Sequence, residues 1–179
     1  MKKVMYRFYL DYEKEEKWIN EMAAHGWHLK KFSFGRFTFT KGEPDAFIYR
    51  NEFISGMSTN EKKDYFEFLK DSGITIINEF GGWVYMKKAA AEGPFEIYTD
   101  TRSKIAYYKR MLNIFLFLFF VNAWMGIMNI SVFGDKVKTG FISPTIGVLN
   151  IAAALLIAFP IFKIIQRKRA LEKKQQFFE

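Results

Sequence analysis

The sequence predicts an α+β fold in which a soluble domain, built from a duplicated β-α-β-β unit, is followed by two transmembrane α-helices. Three observations predict it. An aromatic hairpin pattern with a central glycine occurs twice in the first 90 residues, a charged helical segment precedes each copy, and two long uncharged segments occupy the second half. We expect a mixed or antiparallel sheet with the two helices of the soluble domain on one face.

The first copy starts with a strand at residues 5–10, MYRFYL, which is rich in aromatic side chains. Asp11 is placed to cap the helix that follows, and acidic residues fill the first turn, where the helix dipole favours negative charge. One apolar face recurs at helical spacing and consists of Trp18, Ile19, Met22 and Ala23. Gly26 then ends the helix as a left-handed cap.

A hairpin follows this helix. Residues 27–34 form its first strand, and Gly35 turns the chain into the second strand. Strict alternation places Phe32 on the face opposite Leu29, whereas a β-bulge between them would bring both side chains to the same face.

The second copy repeats this order. A strand spans residues 46–53, and Ser58 with Glu61 three positions later has the spacing of a capping box. The apolar helix positions and the closing glycine recur at an offset of 47, and the hairpin recurs as residues 80–87 at an offset of 46. Because one unit alone would expose the apolar face of its sheet, we predict that the two copies bury a shared aromatic core.

Two uncharged segments predict membrane spans. Residues 111–132 carry no charge over 22 positions, and residues 146–162 carry none over 17. A helix that crosses the hydrocarbon core of a bilayer needs about 20 mostly apolar residues. The stretch FLFLFFV at 115–121 is apolar on every side, which argues against an amphipathic helix in a soluble core.

The net charge of +8 is unevenly distributed along the chain. Residues 1–100 contain 15 Lys and Arg against 16 Asp and Glu, whereas residues 101–179 contain 12 against 3. Because the excess flanks the apolar segments, we expect contact with anionic lipid headgroups and none with nucleic acid. The positive-inside rule places both chain ends in the cytoplasm and the connecting loop outside.

Small and amide side chains mark one face of each apolar segment. They are Asn122, Gly126 and Asn129 in the first segment, and Gly147, Asn150, Ala154 and Ala158 in the second. Small residues let helices approach closely, and asparagine can hydrogen-bond across an interface. We predict that these faces pack within the chain, in a homodimer or against a membrane protein partner. No ionisable residue lies deep in either segment, which disfavours an ion path.

The sequence contains no catalytic, metal or cofactor motif, so we expect neither an enzyme nor a cofactor. The absence of cysteine excludes disulfides and thiolate chemistry. His25 and His28 lack the spacing and the third ligand of a metal site, and we interpret them as helix-end and strand-surface residues. We interpret the acidic pair Glu15-Glu16 as helix-surface charge.

The hairpin aromatics offer a candidate ligand surface. Alternation turns some of these rings away from the helices, and exposed apolar patches mark partners or ligands. Arg50 and Glu52 share one strand face, where they either line a polar pocket or face solvent. The proposed binding residues for a small hydrophobic ligand are Arg36, Tyr49, Arg50, Glu52 and Trp83. The alternative is that all of the aromatics belong to the core.

The pattern WINEMAAHGWHL, the hairpin after it and the later GGWVY resemble the family called domain of unknown function 2812. The residues that carry the resemblance are Trp18, Ile19, Asn20, Met22, Ala23, Gly26, Trp27, Leu29, Gly81, Gly82, Trp83 and Tyr85. The resemblance covers residues 5–90 and implies a bacterial protein, mostly of Gram-positive species, with two C-terminal membrane spans. Genes of this family often neighbour PadR-type transcriptional regulators, and no activity is established from which catalytic residues would carry over.

The element order also resembles GyrI-like domains, which bind small hydrophobic or cationic molecules in a cleft between two copies. This likeness implies a ligand cleft between the two halves of the soluble domain.

These features together divide the chain into six segments. They are a cytoplasmic tandem β-α-β-β domain (1–92), a basic linker or helix (93–110), two transmembrane helices (111–132 and 144–165), the extracytoplasmic loop between them (133–143) and a basic cytoplasmic tail (166–179). We expect a regulatory module, anchored in the bacterial inner membrane, that senses a small ligand or docks a protein. The alternative is an accessory or structural subunit of a transporter or envelope complex.

Overall fold

A computed structural model describes residues 1–98, 101–131 and 142–176. They fall into two compact units, Met1–Ile97 and Tyr98–Glu179. The elements of the first unit are β1 (Lys2–Tyr6), α1 (Tyr12–Ala24), β2 (Trp27–Ser33), β3 (Arg36–Lys41), β4 (Phe47–Phe53), α2 (Thr59–Asp71), β5 (Thr75–Phe80), β6 (Trp83–Ala89) and a short 3-10 turn (Ala90–Glu92). The second unit consists of α3 (Thr101–Ser131) and α4 (Ile142–Gln176).

The six strands form two three-stranded antiparallel sheets. The strand order is β1-β3-β2 in the first sheet and β4-β6-β5 in the second. Each half of the first unit therefore has the same order of elements and of strands, and the predicted α+β class is confirmed. The origin of the two halves by duplication stays a prediction.

A side-chain amide joins the two sheets where β2 lies beside β5. Phe32 N donates to Asn78 Oδ1 at 2.9 Å, and Asn78 Nδ2 donates to Phe32 O at 2.9 Å. The amide thus pairs with the backbone N–H and C=O of Phe32 in the edge strand β2, as a neighbouring strand would. The Phe32 ring also lies 4.6 Å from the Tyr85 ring, so the seam has an apolar layer as well.

The ends of both short helices follow the predicted caps. Asp11 accepts a hydrogen bond from Glu13 N at 3.2 Å, and Ser58 and Glu61 form both bonds of a capping box. Gly26 and Gly73 follow α1 and α2 with φ of 73° and 74°. These left-handed conformations cost glycine little, which explains why both helices end there.

A β-bulge in β2 determines which of its side chains face the core. Its register with β3 shifts between Leu29 and Lys31. As a result, Leu29 and Phe32 both pack in the same core. A matching shift occurs in β5 between Ile76 and Asn78.

The first core is shared by the two halves. It contains Trp18, Ile19, Ala23, Leu29, Phe37 and Phe39 from the first half, and Tyr49 and Tyr85 from the second. The Trp18 ring of α1 meets Phe37 and Phe39 edge-on, with centroids 4.9 and 5.6 Å away. The predicted shared aromatic core is therefore present.

The second core lies on the other side of the second sheet. It consists of Ile54, Leu69, Ile74, Val84, Met86 and Phe95. Along β6, Tyr85 belongs to the first core whereas its neighbours Val84 and Met86 belong to the second. Because neighbouring strand residues point to opposite faces, α1 and α2 lie on opposite faces of the second sheet. The predicted placement of both helices on one face is thus corrected.

The second unit is a pair of long helices in contact with each other. Residues Thr101–Ile130 and Pro144–Gln175 are long and apolar enough to cross a membrane, with mean hydropathies of 1.9 and 2.3. Only 11% and 17% of their most apolar windows are buried, unlike the core helices of a soluble protein. Most of the predicted loop 133–143 and the last residues of the predicted tail lie outside the described residues.

Candidate functional site

A buried carboxylate ties α1 to the second sheet. Glu15 is 8% exposed and accepts hydrogen bonds from Tyr85 Oη at 2.6 Å and Asn51 Nδ2 at 3.4 Å. Burial raises the pKa of the Glu15 carboxyl, although its two donors oppose the shift. Burial and the neighbouring Glu15 raise the pKa of Tyr85.

The next residue of α1 forms an ion pair with the same sheet. Glu16 Oε1 lies 2.6 Å from Arg50 Nη1, and its Oε2 accepts from Asn51 N at 3.1 Å. Burial raises the pKa of Glu16, while Arg50 acts in the opposite direction. Arg50 Nε also donates to Phe95 O at 2.9 Å. The interpretation of Glu15-Glu16 as helix-surface charge was therefore wrong.

A third α1 side chain, Asn20, hydrogen-bonds to the backbone of β4, an edge strand of the second sheet. Asn20 Nδ2 donates to Tyr49 O at 2.9 Å, and Tyr49 N donates to Asn20 Oδ1 at 2.8 Å. Together with Glu16, this amide pairs the backbone of β4 without an additional strand. Since protein donors and acceptors occupy these groups, the cluster fastens α1 to β4 rather than offering open ligand positions.

The predicted ligand residues do not form one site. Tyr49 and Glu52 are 1% and 2% exposed, and they lie on opposite faces of β4 because their positions differ by an odd number. Tyr65 of α2 donates to Glu52, so the solvent-facing alternative for Glu52 was wrong. Trp83 packs between the rings of Tyr12 and Phe53, each 5.2 Å away.

Arg36 lies apart from the other four residues. It lines a cavity of about 340 Å³ together with Lys2, Lys30, Lys31, Ser33 and Thr38. All six residues belong to strands of the first sheet, whereas Tyr49, Arg50, Glu52 and Trp83 belong to the second.

The two histidines differ in burial. His25 is exposed at the end of α1, where its Nδ1 lies 2.7 Å from Glu21 O. His28 is buried, and its Nε2 donates to Glu43 O at 2.7 Å while Nδ1 lies 3.2 Å from Tyr49 Oη. It is thus a core residue and not the strand-surface residue that we expected. Burial raises the pKa of the Tyr49 phenol. Across the described ranges, no group of three or more His, Asp and Glu side chains is placed to hold a metal ion.

An open groove lies between α2 and β5. Its volume is about 740 Å³. Phe66, Ile74 and Ile76 provide its apolar lining, and its charged lining is formed by Lys62, Lys63, Glu67, Lys70 and Glu79. Lys62 pairs with Glu79, and Lys63 Nζ lies 3.9 Å from Glu67 Oε1. For Lys70, the described chain contains no ion-pair partner, so this groove combines an apolar floor with an available cation.

Sequence reasoning missed this groove because it assigned the apolar residues of α2 to a single core-facing stripe. The stretch Tyr65-Phe66-x-Phe68-Leu69 is wider than one such stripe. Leu69 is fully buried, Phe66 is half-buried in the groove, and Phe68 is exposed. That excess of apolar residues was the available signal.

The predicted packing residues of the apolar helices lie as follows. Gly126 and Gly147 face each other, since a Cβ on Gly126 would lie 2.6 Å from Ile151 Cδ1 and 3.2 Å from Gly147 O. Asn122 and Asn129 donate to carbonyl groups of α3 itself, at 2.8 and 2.7 Å. On α4, Ala154 is buried, whereas Asn150 and Ala158 are half-buried.

Comparison with known proteins identifies a family. Residues 11–120 match the family described as Protein of unknown function (DUF2812), which confirms the resemblance drawn from the sequence. The matched region includes α1 to β6 and the first part of α3. No curated protein and no solved structure matches the chain.

Proposed function

The chain belongs to the DUF2812 family, and we propose that it acts as a membrane-anchored binding module whose ligand site is the groove between α2 and β5. The ligand is a small amphipathic molecule with an apolar body and an anionic group. In this proposal α3 and α4 cross the inner membrane of a bacterium, and the first unit lies in the cytoplasm.

The groove is the observation that carries the ligand proposal. Its volume of about 740 Å³ falls within the range of about 300–1,000 Å³ that is usual for small-molecule sites. Phe66, Ile74 and Ile76 would contact the apolar part of the ligand. Lys70 at the rim supplies a positive charge that no acidic side chain of the described chain neutralises, which favours an anionic head.

The anchor is supported by the composition of α3 and α4. Both helices expose large apolar side chains along their length, among them Phe117, Phe120 and Trp124 on α3 and Leu149 and Leu155 on α4. Basic residues lie at the start of α3 and in the second half of α4. This distribution favours an orientation with both chain ends on the cytoplasmic side.

Photo-crosslinking in cells tests the ligand proposal. A diazirine-bearing fatty acid is fed to cells that express the full chain, and the crosslinked peptides are mapped by mass spectrometry. We expect crosslinks to peptides of α2 and β5 in addition to those of the apolar helices. Phe66→Lys should remove the α2 and β5 crosslinks, whereas the matched variant Phe68→Lys, which alters an exposed ring outside the groove, should retain them.

Crosslinks confined to α3 and α4 in the wild-type protein would contradict the ligand site. Equal crosslinking of α2 in both variants would also contradict it, because that pattern indicates contact with bulk lipid.

Cysteine labelling tests the anchor and its orientation. Since the chain contains no cysteine, Asn60→Cys and Thr139→Cys each create a single reactive site. A membrane-impermeant maleimide should label Thr139→Cys in intact cells and should label Asn60→Cys only after lysis. The reverse pattern would overturn the orientation, and release of the protein by alkaline carbonate would overturn the anchor.

A further inference from the structure

The outer face of the first sheet, turned away from α1, is covered by neither α1 nor α2. Along β1, Lys2, Val4 and Tyr6 are exposed at alternating positions, whereas Lys3 and Met5 are half-buried on the inner side. The pairing of Tyr6 with Arg36 in register continues this face onto β3. The corresponding face of the second sheet carries Trp83 and Tyr85, which pack in the first core.

This outer face carries a concentrated positive charge. The cavity of about 340 Å³ on it is lined by Lys2, Lys30, Lys31, Ser33, Arg36 and Thr38. Four of these six residues are basic and none is acidic. The bulge in β2 contributes to the cluster, because it lets the consecutive residues Lys30 and Lys31 line the same cavity.

Exposed aromatic rings border the basic cavity. Tyr6, Phe8 and Phe34 are 70%, 73% and 74% exposed, and the rings of Phe8 and Phe34 lie 5.5 Å apart, edge to face. Arg7 N donates to Gly35 O at 2.8 Å, which fastens the segment that carries Phe8 to the β2–β3 turn. Phe34 has a φ of 26°, a left-handed conformation that is unfavourable for a phenylalanine.

We propose that the outer face of the first sheet docks on an anionic phospholipid surface. The four basic residues would face the headgroups, and Tyr6, Phe8 and Phe34 would enter the interfacial layer, where aromatic side chains are favoured. Water-exposed rings of this size are otherwise unfavourable, and their position beside a cavity lined by four basic residues matches an interface that is apolar and negatively charged. The docking rests on the membrane anchor proposed above, which keeps the face close to such a surface.

Single-stranded nucleic acid is the other polyanion that basic and aromatic residues recognise. It requires separate ring faces on which bases stack. Here Phe8 and Phe34 pack against each other and form one wedge, so the arrangement favours lipid.

Fluorescence quenching in nanodiscs tests the docking. The full chain carrying Ser33→Cys is labelled with an environment-sensitive fluorophore and reconstituted with doxyl-labelled lipid, in discs of phosphatidylcholine alone or with 30% phosphatidylglycerol. We expect strong quenching only in the anionic discs. Each basic residue near an anionic surface contributes about a fivefold change in the binding constant, so Lys30→Gln with Lys31→Gln should lower the equilibrium constant for docking about 25-fold.

A matched pair controls for net charge. Lys14→Gln with Lys17→Gln removes the same charge from exposed positions of α1 and should leave quenching of the Ser33 probe unchanged. Phe8→Ser with Phe34→Ser alters only exposed rings and should reduce quenching without unfolding the protein.

Three results would overturn the proposal: quenching that is equal in both disc types, quenching that is insensitive to the Lys30 and Lys31 changes, or a probe response only when a single-stranded oligonucleotide is added. The last result would assign the face to nucleic acid. Failure of the chain to enter the discs at all would overturn the anchor and the docking together, whereas entry without lipid-dependent quenching would overturn the docking alone.

Discussion

The two halves of the first unit have the same order of elements, yet they surround their sheets differently. In the second half, β6 is covered on one face by α2 and on the other by the first core. In the first half, β3 contributes Phe37 and Phe39 to the first core, and its other face carries Thr38 and Arg36 beside a basic cavity. The second sheet is thus covered on both faces, whereas the first sheet is covered on one face and open on the other.

The strand sequences account for this difference. β3 reads Phe-Thr-Phe-Thr from residue 37, whereas β6 reads Trp-Val-Tyr-Met from residue 83. Alternation of apolar and polar residues fits a strand with one buried face, and a continuous apolar run fits a strand buried on both. Two halves with the same order of elements can therefore differ in how many faces of the sheet are buried. The difference depends on whether every second residue of the central strand is polar or apolar.

The largest effect is expected from Phe37→Ala in the first core. Phe37 is fully buried, so the truncation should lower the free energy of unfolding by about 3–5 kcal/mol. Because this core includes Tyr49 and Tyr85, amides of β3 and β6 should lose hydrogen-exchange protection together. Phe8→Ala, at an exposed ring, is the control. Full protection of β6 in Phe37→Ala would mean that the halves are stabilised independently.

A smaller effect is expected when valine is replaced by threonine on one face of each sheet. Val84→Thr places a hydroxyl in the second core and should cost about 1–3 kcal/mol. Val4→Thr makes the same change at an exposed position on the outer face of the first sheet and should alter the free energy of unfolding by less than about 0.5 kcal/mol. Urea midpoints of both variants measure the difference. Equal losses would show that the two faces are buried alike.

The carboxylate of Glu15 lies between α1 and β6, and Tyr85→Phe removes one of its hydrogen-bond donors. This change should lower the free energy of unfolding by about 1–3 kcal/mol at neutral pH.

The same carboxylate should make the free energy of unfolding depend on pH. Burial raises the pKa of Glu15 above its ordinary 4.5 in the folded protein, so the folded state retains this proton at a pH where the unfolded state releases it. The contribution of Glu15 is therefore greatest below pH 4.5 and is lost as pH rises through the raised pKa.

Unfolding measured from pH 4 to pH 8 tests this sign. Relative to Glu15→Gln, the wild-type protein should lose stability as pH increases. Parallel curves for the two proteins would contradict the burial of Glu15.

The smallest effect is expected at the helix caps. Ser58→Ala removes one bond of the α2 capping box and should cost about 1 kcal/mol. The loss should appear as faster hydrogen exchange in the first turn of α2, with little change in α1. Ser72→Ala, at the other end of α2, serves as the matched control, and equal exchange in the two variants would count against the capping box.

The sequence predicted local structure well because local signals are short-range. Asp11 and Ser58 as caps, Gly26 and Gly73 as helix ends, and the hairpins all follow from the preferences of a few neighbouring residues. The two apolar helices followed from composition. The bulge in β2 could be stated only as an alternative, since periodicity allows it and does not require it.

The candidate site was harder to predict because it depends on contacts between distant residues. In the sequence, Glu15 and Glu16 resemble surface charges of a charged helix. Their burial depends on contacts with Asn51, Arg50 and Tyr85, which are distant along the chain. The groove requires α2 and β5 to lie side by side, which no pattern within either element specifies. Arg36 was grouped with Arg50 although the topology places them in different sheets.

The bonds from α1 to β4 and β6 also affect the order in which the chain can fold during its synthesis. Glu15 and its donor Tyr85 are 70 positions apart, and a ribosome adds roughly 5–20 residues per second. After Glu15 has been added, synthesis therefore continues for roughly 4–14 s before Tyr85 is added. The first core includes Tyr49 and Tyr85, so it can be completed only after both halves of the first unit have been synthesised.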